Sequence, residues 1–200
     1  NWFGSKGFKS IGRTMYFGFR GSFRGNWFSI NNLTIKDGEN YSGLFAGAGA
    51  GTSGFWIDDL KMNNTTLVNP GENAGTVLGF APCVLVSGVE STQIQIWWAR
   101  NTTGGIVGQN GYYPLTMIYA KASWNIETNN DINNVGNIGG IVGFSAGSLD
   151  VWFVESTVNI TARASNIWGL VGYFYGNNNY LHDSIARWSI TAKGGTAIGA

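Results

Sequence analysis

The sequence predicts an all-β fold: a parallel β-solenoid (β-helix) of about six rungs, each of ~27–35 residues with three short strands. Three observations carry that prediction. A glycine-bounded apolar tetrad recurs: Gly105-Ile106-Val107-Gly108, Gly140-Ile141-Val142-Gly143 and Gly169-Leu170-Val171-Gly172, with looser copies ending at Ala46, Gly79 and Gly199. The last positions of the six copies are separated by 33, 29, 35, 29 and 27 residues, the range of a stacked repeat. Finally, no segment keeps a helical period. Short alternating apolar runs lie between Gly/Asn/Ser clusters instead, the pattern of strands and corners.

The chain reads in order as follows. Residues 1–36 form a basic, aromatic lead-in, an N-terminal cap or first rung, and residues 37–200 carry the repeats. Phe17, Phe19 and Phe23 alternate with glycines, and Ile30, Leu33 and Ile35 mark a further strand. Each later unit begins with its tetrad and turns through a corner such as Ser145-Ala146-Gly147-Ser148. It continues in two strands, as at Val151–Val154 and Val158–Thr161. Val89-Glu90-Ser91-Thr92 and Val154-Glu155-Ser156-Thr157 are identical strings in corresponding places. Stacking lets each strand pair with its equivalent one rung on, without the long crossover that parallel strands otherwise need. The glycines are expected at corners, where a positive φ is cheap only without a Cβ. The chain begins and ends inside its pattern, at Asn1 and Ala200, as a processed or partial product would, with repeats continuing or stacking beyond it.

Composition narrows the function. Charged residues are 12%, against about 25% in ordinary domains, so the surface is neutral and polar. No apolar run reaches the ~18 residues of a membrane span. Lys6, Lys9, Arg13, Arg20, Arg24 and Lys36 all precede the first acid, Asp37. The first 36 residues thus carry +6 and the rest −5, a polarity suited to an acidic partner or to a neighbouring copy. A solvated basic edge is the plainer alternative. Cys83, the one cysteine, lies in an apolar run and reads as buried packing.

Phe19-Arg-Gly-Ser-Phe-Arg-Gly-Asn26, Ile30-Asn-Asn-Leu-Thr-Ile35 and Gly43-Leu-Phe45, with the later Gly-Gly-Ile-Val-Gly strings at 104–108 and 139–143, resemble GLUG-repeat proteins. The resemblance covers most of residues 17–200. It implies a β-helix at the cell surface or outside the cell, often in long adhesin-like chains. Ala46, Thr76 and Thr196 depart from the pattern, standing where glycine is expected.

The function expected is therefore an extracellular structural or adhesive protein that self-associates end to end into a filament or meets surface glycans. The alternative is a β-helix that binds or cleaves carbohydrate. No catalytic set is assigned. Asp58-Asp59 would converge on a substrate only at a bend, while Asp150, Glu155 and Asp183 could approach across rungs. His182 is the sole histidine and reads as a surface or corner residue. No cofactor is expected, although Asp/Asn oxygens at corners leave Ca²⁺ open. Nucleic-acid binding is not expected, because the remainder is acidic. Six sequons, at Asn32, Asn40, Asn63, Asn64, Asn101 and Asn159, are candidate glycosylation sites. The corner glycines are Gly43, Gly79, Gly105, Gly108, Gly140, Gly143, Gly169, Gly172 and Gly199. The candidate contact aromatics are Trp97, Trp98, Tyr112 and Tyr113, with one ring of each adjacent pair expected to face outward; covering rung edges is their other role.

Overall fold

Every strand pairing among the described residues is parallel, and each joins a strand to its counterpart one rung away. The computed structural model describes residues 7–12, 17–36, 40–48, 55–128, 136–193 and 197–199. Lys6, Arg13, Asp37 and Thr196 lie outside them. No helix occurs among the described residues, and the chain winds as a β-solenoid of about five turns. Three sheets line it: a long 13-stranded sheet, a six-stranded middle sheet and a five-stranded sheet built from the tetrads.

In the tetrad sheet, Val107 pairs with Val142 and Val142 with Val171; Leu78 and Phe45 complete the column on the other side. The last expected copy does not join it. Ala197–Gly199 belongs to the middle sheet, where Ile198 pairs with Ile167 and Gly199 with Trp168. Gly199 is therefore the counterpart of Trp168 and Gly139, not of Gly172. The tetrad column thus holds five strands, against six in the middle sheet. The misreading has a local cause: residues 195–199 have the tetrad's composition, but Ala197–Gly199 lies in the sheet that comes one corner before the tetrad sheet.

The glycines are required for a different reason from the one expected. None of the tetrad glycines has a positive φ; the described glycines that do are Gly7, Gly12, Gly21 and Gly88. Close stacking requires them instead. A Cβ on Gly143 would lie 2.6 Å from the Gly108 carbonyl oxygen, and one on Gly79 would lie 2.8 Å from that of Ala46. The left-handed corners are made by other residues. Asp59, Gly88, Tyr119, Phe153 and Asp183 follow the register of successive rungs, and all have positive φ. Asn32, Asn64 and Gln93 form a second such column. Asn and Asp adopt this conformation at modest cost; Tyr and Phe do so only where the surrounding structure imposes it.

Inward positions alternate with outward ones, as the period of a strand dictates. Leu115 and Met117 are buried between half-buried Thr116 and Ile118. Val158, Ile160 and Ala162 are buried between outward Thr157, Asn159 and Thr161. The repeated Val-Glu-Ser-Thr string now has an explanation residue by residue. Val89 and Val154 enter the core, Glu90 and Glu155 face out, and Ser156 is buried against Gly140 and Ser91 against Thr76, which stands at a tetrad glycine position. Small residues are needed here because the two sheets meet closely: a Cβ on Gly105 would approach the Ala122 methyl to 2.9 Å. Thr76 takes the glycine position without penalty to its hydroxyl, which donates to the Gly105 carbonyl oxygen (2.6 Å) and lies 2.8 Å from Ser91 Oγ. A buried hydroxyl is tolerated when it is bonded in this way.

Candidate functional site

The outward faces hold the chemistry, and they are organised in columns because the rungs repeat at the ~4.8 Å strand spacing. Along the bend of the long sheet, Tyr119 and Phe153 stack with ring centroids 5.1 Å apart and planes 10° apart. Beside them Trp152 stacks on His182 at 3.8 Å, and Tyr180 follows at 6.0 Å from His182. Phe144 and Tyr173 stack on the tetrad sheet at 5.9 Å. Tyr119, Phe153, Tyr173 and Tyr180 are all exposed. Sequence reading passed over this ladder; the signal was an aromatic at Tyr119 and at Phe153, just ahead of two aligned strands.

Trp97, Trp98, Tyr112 and Tyr113 are all exposed, Tyr112 the most at 84%. Both tryptophans face solvent, although strand alternation would turn one inward. A positive φ at Trp98 (60°) and a register shift between Trp97 and Ala99 break the alternation there. Their rings meet edge to face at 6.3 Å. Trp97 borders a groove of about 270 Å³ lined also by Gln95, Asn125, Glu127 and Thr161.

Asn side chains form ladders between rungs. Asn63 Nδ2 donates to Asn31 Oδ1 (3.0 Å), Asn64 to Asn32 (2.6 Å), Asn159 to Asn125 (3.3 Å) and Asn166 to Asn137 (2.7 Å). Four of the six sequon asparagines, Asn32, Asn63, Asn64 and Asn159, are thus already engaged. Asn40 and Asn101 are exposed and stand outside these ladders.

The carboxylates are dispersed. Asp59 is at a bend, as convergence with Asp58 would require, but Asp58 lies 3.5 Å from Arg24 Nε. Glu155 lies 3.1 Å from Lys121 Nζ and 3.5 Å from an Arg187 nitrogen. Asp150 is 4.0 Å from His182, and Asp183 occupies the corner beyond. Asp150, Glu155 and Asp183 therefore do not meet at one point. Among the described residues no group of three or more His, Cys, Asp or Glu is gathered, and no helix is long and apolar enough to cross a membrane. Cys83 is half-buried at a positive-φ corner, not packed in the core as its apolar neighbours suggested. Of the basic lead-in, Lys9, Arg20, Arg24 and Lys36 are exposed, and Lys61 Nζ lies 5.5 Å from the Trp27 ring centre.

Comparison with family models, with curated proteins and with solved structures gave no match.

Proposed function

We propose that the chain is an extracellular structural β-solenoid that presents aromatic columns for adhesion. The observation that carries this reading is the outward ladder of Tyr119, Phe153, Trp152, His182 and Tyr180. Large rings held exposed on a rigid face mark a contact surface, since burying each on a partner removes apolar area from water. The low surface charge fits a partner met by stacking and hydrogen bonds rather than by steering. The GLUG-like strings favour a cell-surface setting.

The same reading includes end-to-end association. At the N-terminal end Phe8, Ile11 and Phe19 bridge to Ile35, Phe45 and Ala48, whereas at the C-terminal end the last strand of each sheet has one neighbour among the described residues. Such an edge is a template for another rung, and stacked repeats grow by adding one. The +6/−5 division of charge along the chain would orient successive copies.

Beads coated with the protein test the contact reading on cultured cells under flow. Retention should fall strongly for the variant combining Tyr119→Ser, Phe153→Ser and Tyr180→Ser, with its strand signature in circular dichroism unchanged. Equal retention of variant and parent would reject the aromatic ladder as the contact face. For association, electron microscopy at rising concentration should give rods of growing length; discrete particles at every concentration would reject the filament.

A further inference from the structure

We infer that the groove beside Trp97 binds a neutral oligosaccharide, laid along the stacking axis. The inference deepens the contact reading by naming a ligand class, and it rests on that reading's premise that the outward faces serve recognition. Four features converge. Trp97 is 42% exposed, so a flat apolar ring is available for stacking against the C–H face of a pyranose. The ring is held in place: its Nε1 donates to Gln95 Oε1 at 3.2 Å, and Trp98 packs against it edge to face. That bond uses only the oxygen of the Gln95 amide and leaves its NH₂ end to donate to a ligand.

Polar groups of three successive rungs line the rest of the groove. Gln95 pairs with Asn125, and Trp97 with Glu127, which pairs in turn with Thr161. The Trp97 indole is therefore followed in its own column by a carboxylate and a hydroxyl, with the Gln95 and Asn125 amides in the column beside it. They offer both donors and acceptors, as sugar hydroxyls require. The rung spacing of ~4.8 Å is close to the length of one sugar unit, so a linear chain would meet one rung per residue. The groove's volume of about 270 Å³ suits one or two rings rather than a protein segment. Glu127 makes a uronate the wrong ligand, since like charges would face each other there.

The local backbone explains why the groove is here and not on every rung. The bulge at Trp98 releases the strand from its partner between Trp97 and Ala99 and opens the face. The neighbouring counterparts of Trp97 are Val68 and Glu127, so the aromatic platform occurs once in this column among the described residues.

The test is isothermal titration calorimetry of the full 200-residue chain with cellohexaose, xylohexaose, mannohexaose and N-acetylchitohexaose. At least one should bind and quench tryptophan fluorescence. Trp97→Ala should weaken that binding at least about tenfold. Glu127→Gln, which keeps the shape and removes the charge, should alter the preference among the four sugars. Tyr175→Ala, at an exposed ring outside the groove's lining, should change nothing. Binding by none of the four, or binding undiminished in a folded Trp97→Ala protein, would overturn the inference. Those outcomes with bead adhesion intact would remove the glycan and leave the contact reading standing.

Discussion

Gly143 concentrates the stacking argument in one residue. A Cβ there would sit 2.6 Å from both the Gly108 carbonyl oxygen and the Thr103 nitrogen, atoms of backbone that cannot step aside. Gly143→Ala should therefore cost ~1–3 kcal/mol or more, by overpacking, read as a lower urea midpoint. Gly21, with open space around its Cβ position, should cost less when changed to Ala, although its φ of 115° adds strain. The spacing of the tetrad glycines was legible in the sequence; the reason for them was not. Close approach between rungs is a property of the stack and leaves no mark on any single segment. The positive φ values fell to Asn64, Asp59, Tyr119 and Phe153, and for the two aromatics nothing in the local sequence announces such a conformation. A second prediction concerns the sequons. In a glycosylating host, peptide mass spectrometry should find Asn40 and Asn101 occupied well ahead of Asn63, whose Nδ2 is bonded to Asn31 and whose Oδ1 accepts from Thr92 (2.8 Å). Preferential occupancy of Asn63 would mean that the amide ladder is not kept in the protein.

Strands hold their register through paired outward columns as well as through the core. Lys61, Glu90, Lys121 and Glu155 alternate in sign along one column of the long sheet, with Lys61 and Glu90 4.0 Å apart and Lys121 and Glu155 3.1 Å apart. Exposed pairs of this kind are individually weak, but a reversed sign places like charges on adjacent strands. Glu90→Lys should therefore destabilise by ~0.5–1 kcal/mol at low salt, and the loss should shrink in 1 M NaCl, where the screening length is ~3 Å. A loss independent of salt would place its cause in packing. At this scale the strands themselves were legible, because inward and outward residues alternate cleanly in segments such as Glu155–Ala162. The register of the last one was not: the composition of residues 195–199 imitates a tetrad, and only pairing with Asn166–Trp168 reveals the true column. The bulge at Trp98 was hidden for a related reason. A register shift is defined against the neighbouring rung, so Trp97-Trp98 alone reads as one ring in and one out.

The molecule as a whole is a column whose inner ladders are apolar and whose outer ladders are chosen rung by rung. Phe23, Ile57, Val86, Met117 and Val151 follow one another through the long sheet, and Phe45, Leu78, Val107, Val142 and Val171 through the tetrad sheet. This was legible because every rung must satisfy the same inward requirement, so the repeat is written several times over. The proposed contact surfaces have no such redundancy. The Trp97 groove and the Tyr119–Phe153 stack each depend on a few residues in a non-repeating part of the surface, which is why sequence named the tryptophans but not the groove. The central claim, that the tetrads lie in one parallel column, is tested most directly by disulfide trapping on its outer face in a Cys83→Ser background. Gln109 and Phe144 are in register on adjacent rungs, whereas Tyr173 pairs with Phe144 and lies one rung further. Adjacent strands stand ~4.8 Å apart, within the 4.4–6.8 Å that a disulfide spans, and two rungs are about twice that. The pair Gln109→Cys with Phe144→Cys should cross-link on mild oxidation, and Gln109→Cys with Tyr173→Cys should not. Cross-linking of the second pair and not the first, or of neither in folded protein, would contradict the stack.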